Sequence, residues 1–149
     1  MKVTIRAAHP EDGKAISRLI RDELAVPVSA AGITHDLANL CVNPRHRIFA
    51  ASVDEAVVGF LHLCDYDSLL LHEPMKLILS MAVSGSYCRV GIGTALLRRA
   101  ERYAAESGAG GIRLDAAAVY DAGAGAKAFF ARCGYAAEPL MRYEKLFEN

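Results

Sequence analysis

Seven residues from Cys88 to Thr94, reading CRVGIGT, carry the clearest chemical signal in the chain. An apolar run of strand length, Lys76 to Val83, leads into them. An amphipathic pattern follows: Ile92, Leu96, Ala100 and Tyr103 recur at helical spacing, with Arg98, Arg99, Arg102 and Glu106 off that stripe. A strand feeding a Gly-rich turn that opens a helix gathers unpaired backbone N–H groups at one point, with partial positive charge. Such a point suits phosphate oxygens. Gly91 and Gly93 lack Cβ atoms, so an anion can approach the backbone, and Thr94 adds a hydroxyl. A lone G-x-G is equally what a strand-to-helix turn needs for its dihedrals, and both readings stand at this point. Two nucleotide motifs fail. A P-loop needs Gly-Lys before Ser or Thr, and a dinucleotide fingerprint needs a third small residue where Leu96 stands.

The rest of the chain must position that turn. Its 149 residues fit one domain with a sizeable core. Lys plus Arg and Asp plus Glu number 17 each, so no bulk field draws the chain to nucleic acid or an anionic membrane. Any anion site must be local. The start, MKVTIRAAHPEDG, lacks the apolar core of a signal peptide, and no apolar run approaches the roughly 20 residues of a membrane span. Cys41, Cys64, Cys88 and Cys133 are widely spaced and read as reduced thiols of a cytoplasmic protein. No Cys/His cluster suggests a metal. His62 and His72 read as ordinary strand and loop residues.

The pattern predicts a strand over Val3–Ala7, then a helix capped by Asp12 and ended by Pro27. A short helix follows over Thr34–Leu40, with Thr34 as its cap. A hairpin joins Arg47–Val53 to Val57–Cys64 through Asp54-Glu55-Ala56. Gly59 marks a bulge or a close backbone approach. Asp65–Pro74 reads as a loop. Beyond the central helix, Ile112–Ala117 reads as a strand, Asp121–Gly125 as a loop, Ala126–Arg132 as a helix and Met141–Phe147 as a last strand.

Four segments in this order resemble the GNAT superfamily of N-acetyltransferases: VTIRAAHPEDGKAISRLI, FAASVDEAVVGFLHL, LSMAVSGSYCRVGIGTALL and GAKAFFARCGY. The resemblance covers essentially the whole chain. It implies an α/β fold with a central, mostly antiparallel, twisted sheet of about six to seven strands, splayed between the fourth and fifth, with helices on both faces. It implies acetyl-CoA or another acyl-CoA as donor and no metal. The pyrophosphate would rest on Cys88, Arg89, Val90, Gly91, Ile92, Gly93 and Thr94, and the pantetheine would run beside Met81, Ala82 and Val83. The coenzyme set extends to Gly123, Ala126, Phe129 and Phe130. A backbone N–H at Met81 or Val83 would hold the thioester carbonyl oxygen, a donor worth about 2.7–4 kcal/mol in the transition state.

The chain departs from the family pattern at informative places. Cys88 stands at the Gln/Arg position of the coenzyme motif, with Arg89 one residue later. Gly123 aligns where an Asn is common. Phe130 aligns with the Tyr that protonates the leaving thiolate, and a phenyl ring cannot donate a proton. Tyr120 and Cys133 are the substitutes on offer. Leu77 aligns with the Glu that serves as base in the histone-modifying branch, which leaves Glu73, Asp65, Asp67, His72 and Asp115 as bases. Arg98, Arg99 and Arg102 form a solvated face, or a contact for the 3′-phosphate of CoA.

The resemblance implies an N-acetyltransferase acting on a primary amine of a small molecule or peptide by direct attack in a ternary complex. Ala25–Ile33 would form one wall of the acceptor site, and a homodimer stays open. The alternative is an acyl-CoA-binding sensor with weak or no catalysis.

Overall fold

The computed structural model describes residues 1–114, 125–137 and 143–148. The expectations at Asp115–Ala117, Tyr120, Asp121, Gly123, Met141 and Arg142 fall outside these residues.

β1 (Val3–Ala7), β2 (His46–Val53), β3 (Ala56–Tyr66) and β4 (Met75–Val83) follow one another as antiparallel neighbours, and β5 (Gly111–Leu114) joins β4 in parallel. The sheet therefore has five strands among the described residues, against the six to seven expected. Residues 143–148 lie in neither helix nor strand, and Tyr143, Leu146 and Phe147 are exposed. Side-chain alternation alone does not make a strand, which also needs a neighbouring edge to pair with.

Alternation divides the sheet into two apolar faces. Ile48, Ala50, Phe60 and Ala82 pack with Ile16 and Leu19 of α1 (Gly13–Leu24) and Leu37 of α2 (Ala30–Leu40). Phe49, Leu61, Leu63, Ile78 and Met81 pack against Ile92, Leu96, Leu97 and Ala100 of α3 (Ile92–Glu106). Phe130 of α4 (Gly125–Arg132) joins that second cluster.

Local chemistry corrects two caps. Asp12 precedes α1, but its side chain makes no cap bond to that helix. It accepts instead from both terminal nitrogens of Arg6, at 2.8 and 2.9 Å, and from the His9 N–H at 2.8 Å. Burial pushes the Asp12 carboxyl up, and these donors more than offset it and hold it below the ordinary range. α2 starts four residues earlier than expected, because Ser29 caps it by accepting from the Gly32 N–H at 3.0 Å. Thr34 sits inside α2 beside Gly13, whose absent side chain lets α1 and α2 cross closely.

Both expectations at Gly59 hold. The β2–β3 register shifts by one there, leaving Val58 as an extra residue. A Cβ on Gly59 would lie 3.2 Å from the Ala82 carbonyl oxygen and 3.3 Å from Leu96 Cδ1. The hairpin turn is made by Asp54 and Glu55, both with positive φ, 50° and 73°. A two-residue turn of that kind favours glycine at its second position. Glu55→Gly is expected to stabilise the fold by about 0.5–1 kcal/mol, read as a higher urea midpoint at unchanged slope.

A second bulge lies in β4. Leu63 pairs with Ile78 but His62 pairs with Ser80, so Leu79 is extra. The described β4–β5 pairing also ends at Ile78. Bulges bend the strand that carries them. β4 is re-aimed at the residue following its last described partner in β5.

All four cysteines are free thiols. No helix among the described residues is long and apolar enough to cross a membrane.

Candidate active site

The head of α3 is open as the sequence suggests. Gly91 takes the N-cap position with φ 87°, and no side chain caps it. The first α3 amide with a backbone acceptor is that of Ala95, which donates to the Gly91 carbonyl at 3.0 Å. From Arg89 to Thr94 no backbone N–H has an acceptor among the described residues. Cys88, Arg89, Val90 and Gly91 are exposed, and Arg89 itself adopts φ 66°.

The two glycines have different duties. A Cβ on Gly91 would meet nothing within 4 Å. A Cβ on Gly93 would press on Phe129 Cζ at 3.2 Å. Gly91 keeps the approach to the amides clear, whereas Gly93 lets α4 close onto the first turn of α3. Phe129 meets Phe130 edge-on at 5.1 Å between centroids, and Phe130 meets Tyr135 at 5.8 Å. Ala126 and Cys133 are partly buried against the same cluster.

β4 supplies a second set of amides. Ser84 donates its N–H to the Val58 carbonyl of β3 at 2.8 Å. Amide direction alternates along an antiparallel ladder. Ala82, paired with Phe60, therefore points toward β3, while Met81 and Val83 point away from it. Their outer side lies past Ile78, the last β4 residue with a described partner in β5. The structure thus brings the α3 amides and the outward amides of Met81 and Val83 to the two ends of one short connection, residues 84–91.

The other expected groups are dispersed. Glu73 stands just before β4, eight positions from Met81, with its carboxylate against Gly110. That separation is about 25 Å along an extended chain. Asp65 pairs with Lys76 and with Arg45, and Asp67 pairs with Arg45. His72 is exposed. Arg98 and Arg102 form ion pairs on the solvated face with Glu101 and Glu106. Arg99 departs from that face: its guanidinium lies 4.8 Å from the Phe49 ring centroid, and its Nη1 is buried with no hydrogen-bond partner among the described residues.

Comparison with known proteins decides what this arrangement belongs to. The family model described as Acetyltransferase (GNAT) family matches residues 14–135. The chain belongs to the GNAT acetyltransferase family. It is an acyltransferase by that membership. No curated protein matches it in sequence. Among solved structures, a transcriptional regulator from Bacillus halodurans superposes with a TM-score of 0.82 at 20% identity, covering 97% of this chain and 100% of that one. A ribosomal-protein-alanine N-acetyltransferase from Brucella melitensis biovar Abortus gives 0.74 at 18% identity, covering 98% and 100%. An aminoglycoside acetyltransferase from an uncultured soil metagenomic sample, in complex with sisomicin, gives 0.72 at 19% identity, covering 98% and 97%. These likenesses establish a shared GNAT fold.

Two features of this GNAT chain were not legible as site features. Glu23, in the last turn of α1, accepts the Gly85 N–H at 3.1 Å and ties α1 to the connection between β4 and α3. That contact spans 62 residues and leaves no local signal. His46 and His62 are joined, Nδ1 to Nε2, at 2.9 Å. His62 lies in β3, as expected of a strand residue, and its bond to His46 is the feature the sequence did not show. A hairpin counted back from Asp54-Glu55 without a bulge would put the two rings on opposite faces. The extra residue at Val58 shifts the register, so that His46 pairs with Cys64, His62 pairs with Ile48, and both rings share the α1–α2 face.

Burial, then the charge of His46, push His62 from its usual 6.5 down to about 4. An unfolded histidine takes a proton below about pH 6.5, while this folded one stays neutral until about pH 4. The unfolded chain binds more protons in that window, so stability falls as pH drops through it, by up to about 3 kcal/mol. His62→Gln is expected to flatten that part of the stability–pH curve. Urea midpoints of both proteins between about pH 7 and pH 4 check it.

Proposed function

We propose that this GNAT chain moves an acetyl group from acetyl-CoA to a primary amine of a small molecule or peptide, by direct attack within a ternary complex. The observation that carries the reading is the run of backbone N–H groups from Arg89 to Thr94 without acceptors among the described residues, with open space over Gly91. Those donors suit the diphosphate of CoA. The outward amides of Met81 and Val83 suit a pantetheine arm laid along β4 and the thioester carbonyl oxygen beside it. Direct attack needs no enzyme nucleophile, because holding both reactants in one cleft supplies the rate advantage. A thiol of pKa near 8.5 can depart as thiolate, so Phe130 is compatible with turnover. Tyr120 and Cys133 remain proton donors to be tested. The free thiols support a reducing, cytoplasmic setting.

Thermal stabilisation by acetyl-CoA, compared with CoA, ATP and NAD, tests the site. A ligand at 100 times its Kd adds about 2.7 kcal/mol. Thiol release is then measured with sisomicin, spermidine and a peptide bearing a free N-terminal alanine. The first and last of these follow from the names of two similar structures. Stabilisation by acetyl-CoA with thiol release on at least one amine is the expected result. Stabilisation without release on any amine would favour the sensor. No stabilisation would remove the reading.

A further inference from the structure

Direct attack leaves one proton without a destination. A primary amine of pKa about 10.4 is more than 99% protonated at neutral pH and must lose a proton before it can attack. Among the described residues, the acids near the β3–β4 loop are held by Arg45 and Lys76 or lie at the far end of β4; Asp115 falls outside those residues. Leu77 offers no acceptor. His62, however, pairs across the ladder with Ser80, the residue before Met81. Its ring bonds to His46, and the two ring centroids lie 5.1 Å apart. His46 in turn borders a surface cleft with Ala8, Cys41, Asn43 and Pro44. Resting on the transferase reading above, we infer that His62 and His46 form a two-ring proton relay, leading from the acceptor amine beside β4 to solvent at the start of β2.

The bonds balance. In one neutral arrangement His62 carries its proton on Nε2, donated to His46 Nδ1, and His46 carries its own on Nε2. An ammonium N–H bond breaks and an N–H bond forms at His62 Nδ1. The Nε2 proton crosses to His46 Nδ1. His46 releases its Nε2 proton to water. One proton leaves the amine, one reaches solvent, and the amine keeps the electron pair it needs for attack. Both rings finish neutral with the proton on Nδ1, and exchange with water restores the starting tautomers. Burial disfavours a charge on the His62 ring, so its Nε2 proton must leave for His46 as the Nδ1 proton arrives, and no imidazolium rests there.

Among the described residues, β1 turns Arg6 to the same face as the histidine pair, where Asp12 holds it. Cys64 is the next side chain on that face of β3, and Cys41 lies across the cleft; burial raises both thiols. β4 turns Leu77 and Ser80 to the same face. α1 and α2 pack on it through Ile16, Leu19 and Leu37.

The test measures thiol release by wild type, His62→Gln and His46→Gln from about pH 6 to pH 10, with the fastest amine of the panel above. At pH 7, His62→Gln is expected to lower kcat/KM for the amine by about 10²-fold. The deficit should shrink as pH approaches the amine's own pKa, because the free base then needs no acceptor. Stabilisation by acetyl-CoA should be unchanged in both variants. A deficit constant with pH, a wild-type rate in His62→Gln, or lost acetyl-CoA stabilisation would each overturn the relay while leaving the transferase reading intact. Wild type that binds acetyl-CoA but turns over no amine would remove that reading and the relay with it. Histidine ¹⁵N spectra of the wild type give a check independent of any variant. The relay requires both rings to carry their protons on the same-named nitrogen at neutral pH, and unlike tautomers would overturn it.

Discussion

Gly91→Asp is expected to abolish the stabilisation that acetyl-CoA gives, while Gly91→Asn keeps most of it. Gly91 has φ 87°, and a Cβ there meets nothing within 4 Å. Asn and Asp tolerate the left-handed region better than other side chains, so both variants make a similar demand on the backbone. They differ in charge. A carboxylate about 4 Å from one phosphate charge near a protein surface is repelled by about 4 kcal/mol before salt screening. Affinity should therefore fall by more than about 100-fold in the acidic variant, cancelling the shift seen at 100 times the wild-type Kd. Equal losses in both variants would mean that a neutral group lies there. Unchanged affinity in both would mean that the diphosphate sits elsewhere.

Gly13→Ala should destabilise the fold against the direction of helix propensity. Alanine is favoured over glycine in helix interiors by about 1 kcal/mol. At this crossing an added Cβ would overlap Thr34 Oγ1 and lie 2.9 Å from the main chain of Thr34. The hydroxyl can rotate, but the α2 main chain cannot move without lifting Leu37 from the sheet. Overpacking of this kind costs about 1–3 kcal/mol. For a chain near 150 residues each kcal/mol lowers Tm by about 2–4 °C. Thr34→Ala in the same chain should recover only part of the loss, because the clash with the α2 main chain remains. A Gly13→Ala protein as stable as wild type would show that α2 docks loosely.

Much of the fold was written in local patterns. Alternation located the first strand, hairpin signals the next two and an apolar run the fourth, while helical spacing located α1 and α3, because burial leaves those traces directly. The start of α2 was missed because Ser29 and Gly32 cap through a side-chain bond that resembles an ordinary small-residue loop. The final strand is absent from residues 143–147 because alternation in sequence says nothing of a neighbouring edge to pair with. The open turn at Gly91 was legible, since it is local. The division of duty with Gly93 was not, since Phe129 arrives from α4. The histidine pair was hidden by a single residue: Gly59 signalled a bulge, but only the observed register shows which face His62 joins. Glu23 and Arg99 were hidden for the same reason, as partners distant in sequence.

Nearly every donor proposed for the coenzyme belongs to the main chain: the amides of residues 89–94, and those of Met81 and Val83 beyond the Leu79 bulge. An alanine scan would pass over them almost silently, since truncating a side chain leaves its N–H in place. Only edits that delete a donor or re-phase the strand, such as prolines, single-residue deletions or backbone esters, would find them. The same property gives evolution latitude, because the lining can drift in character while the grip persists.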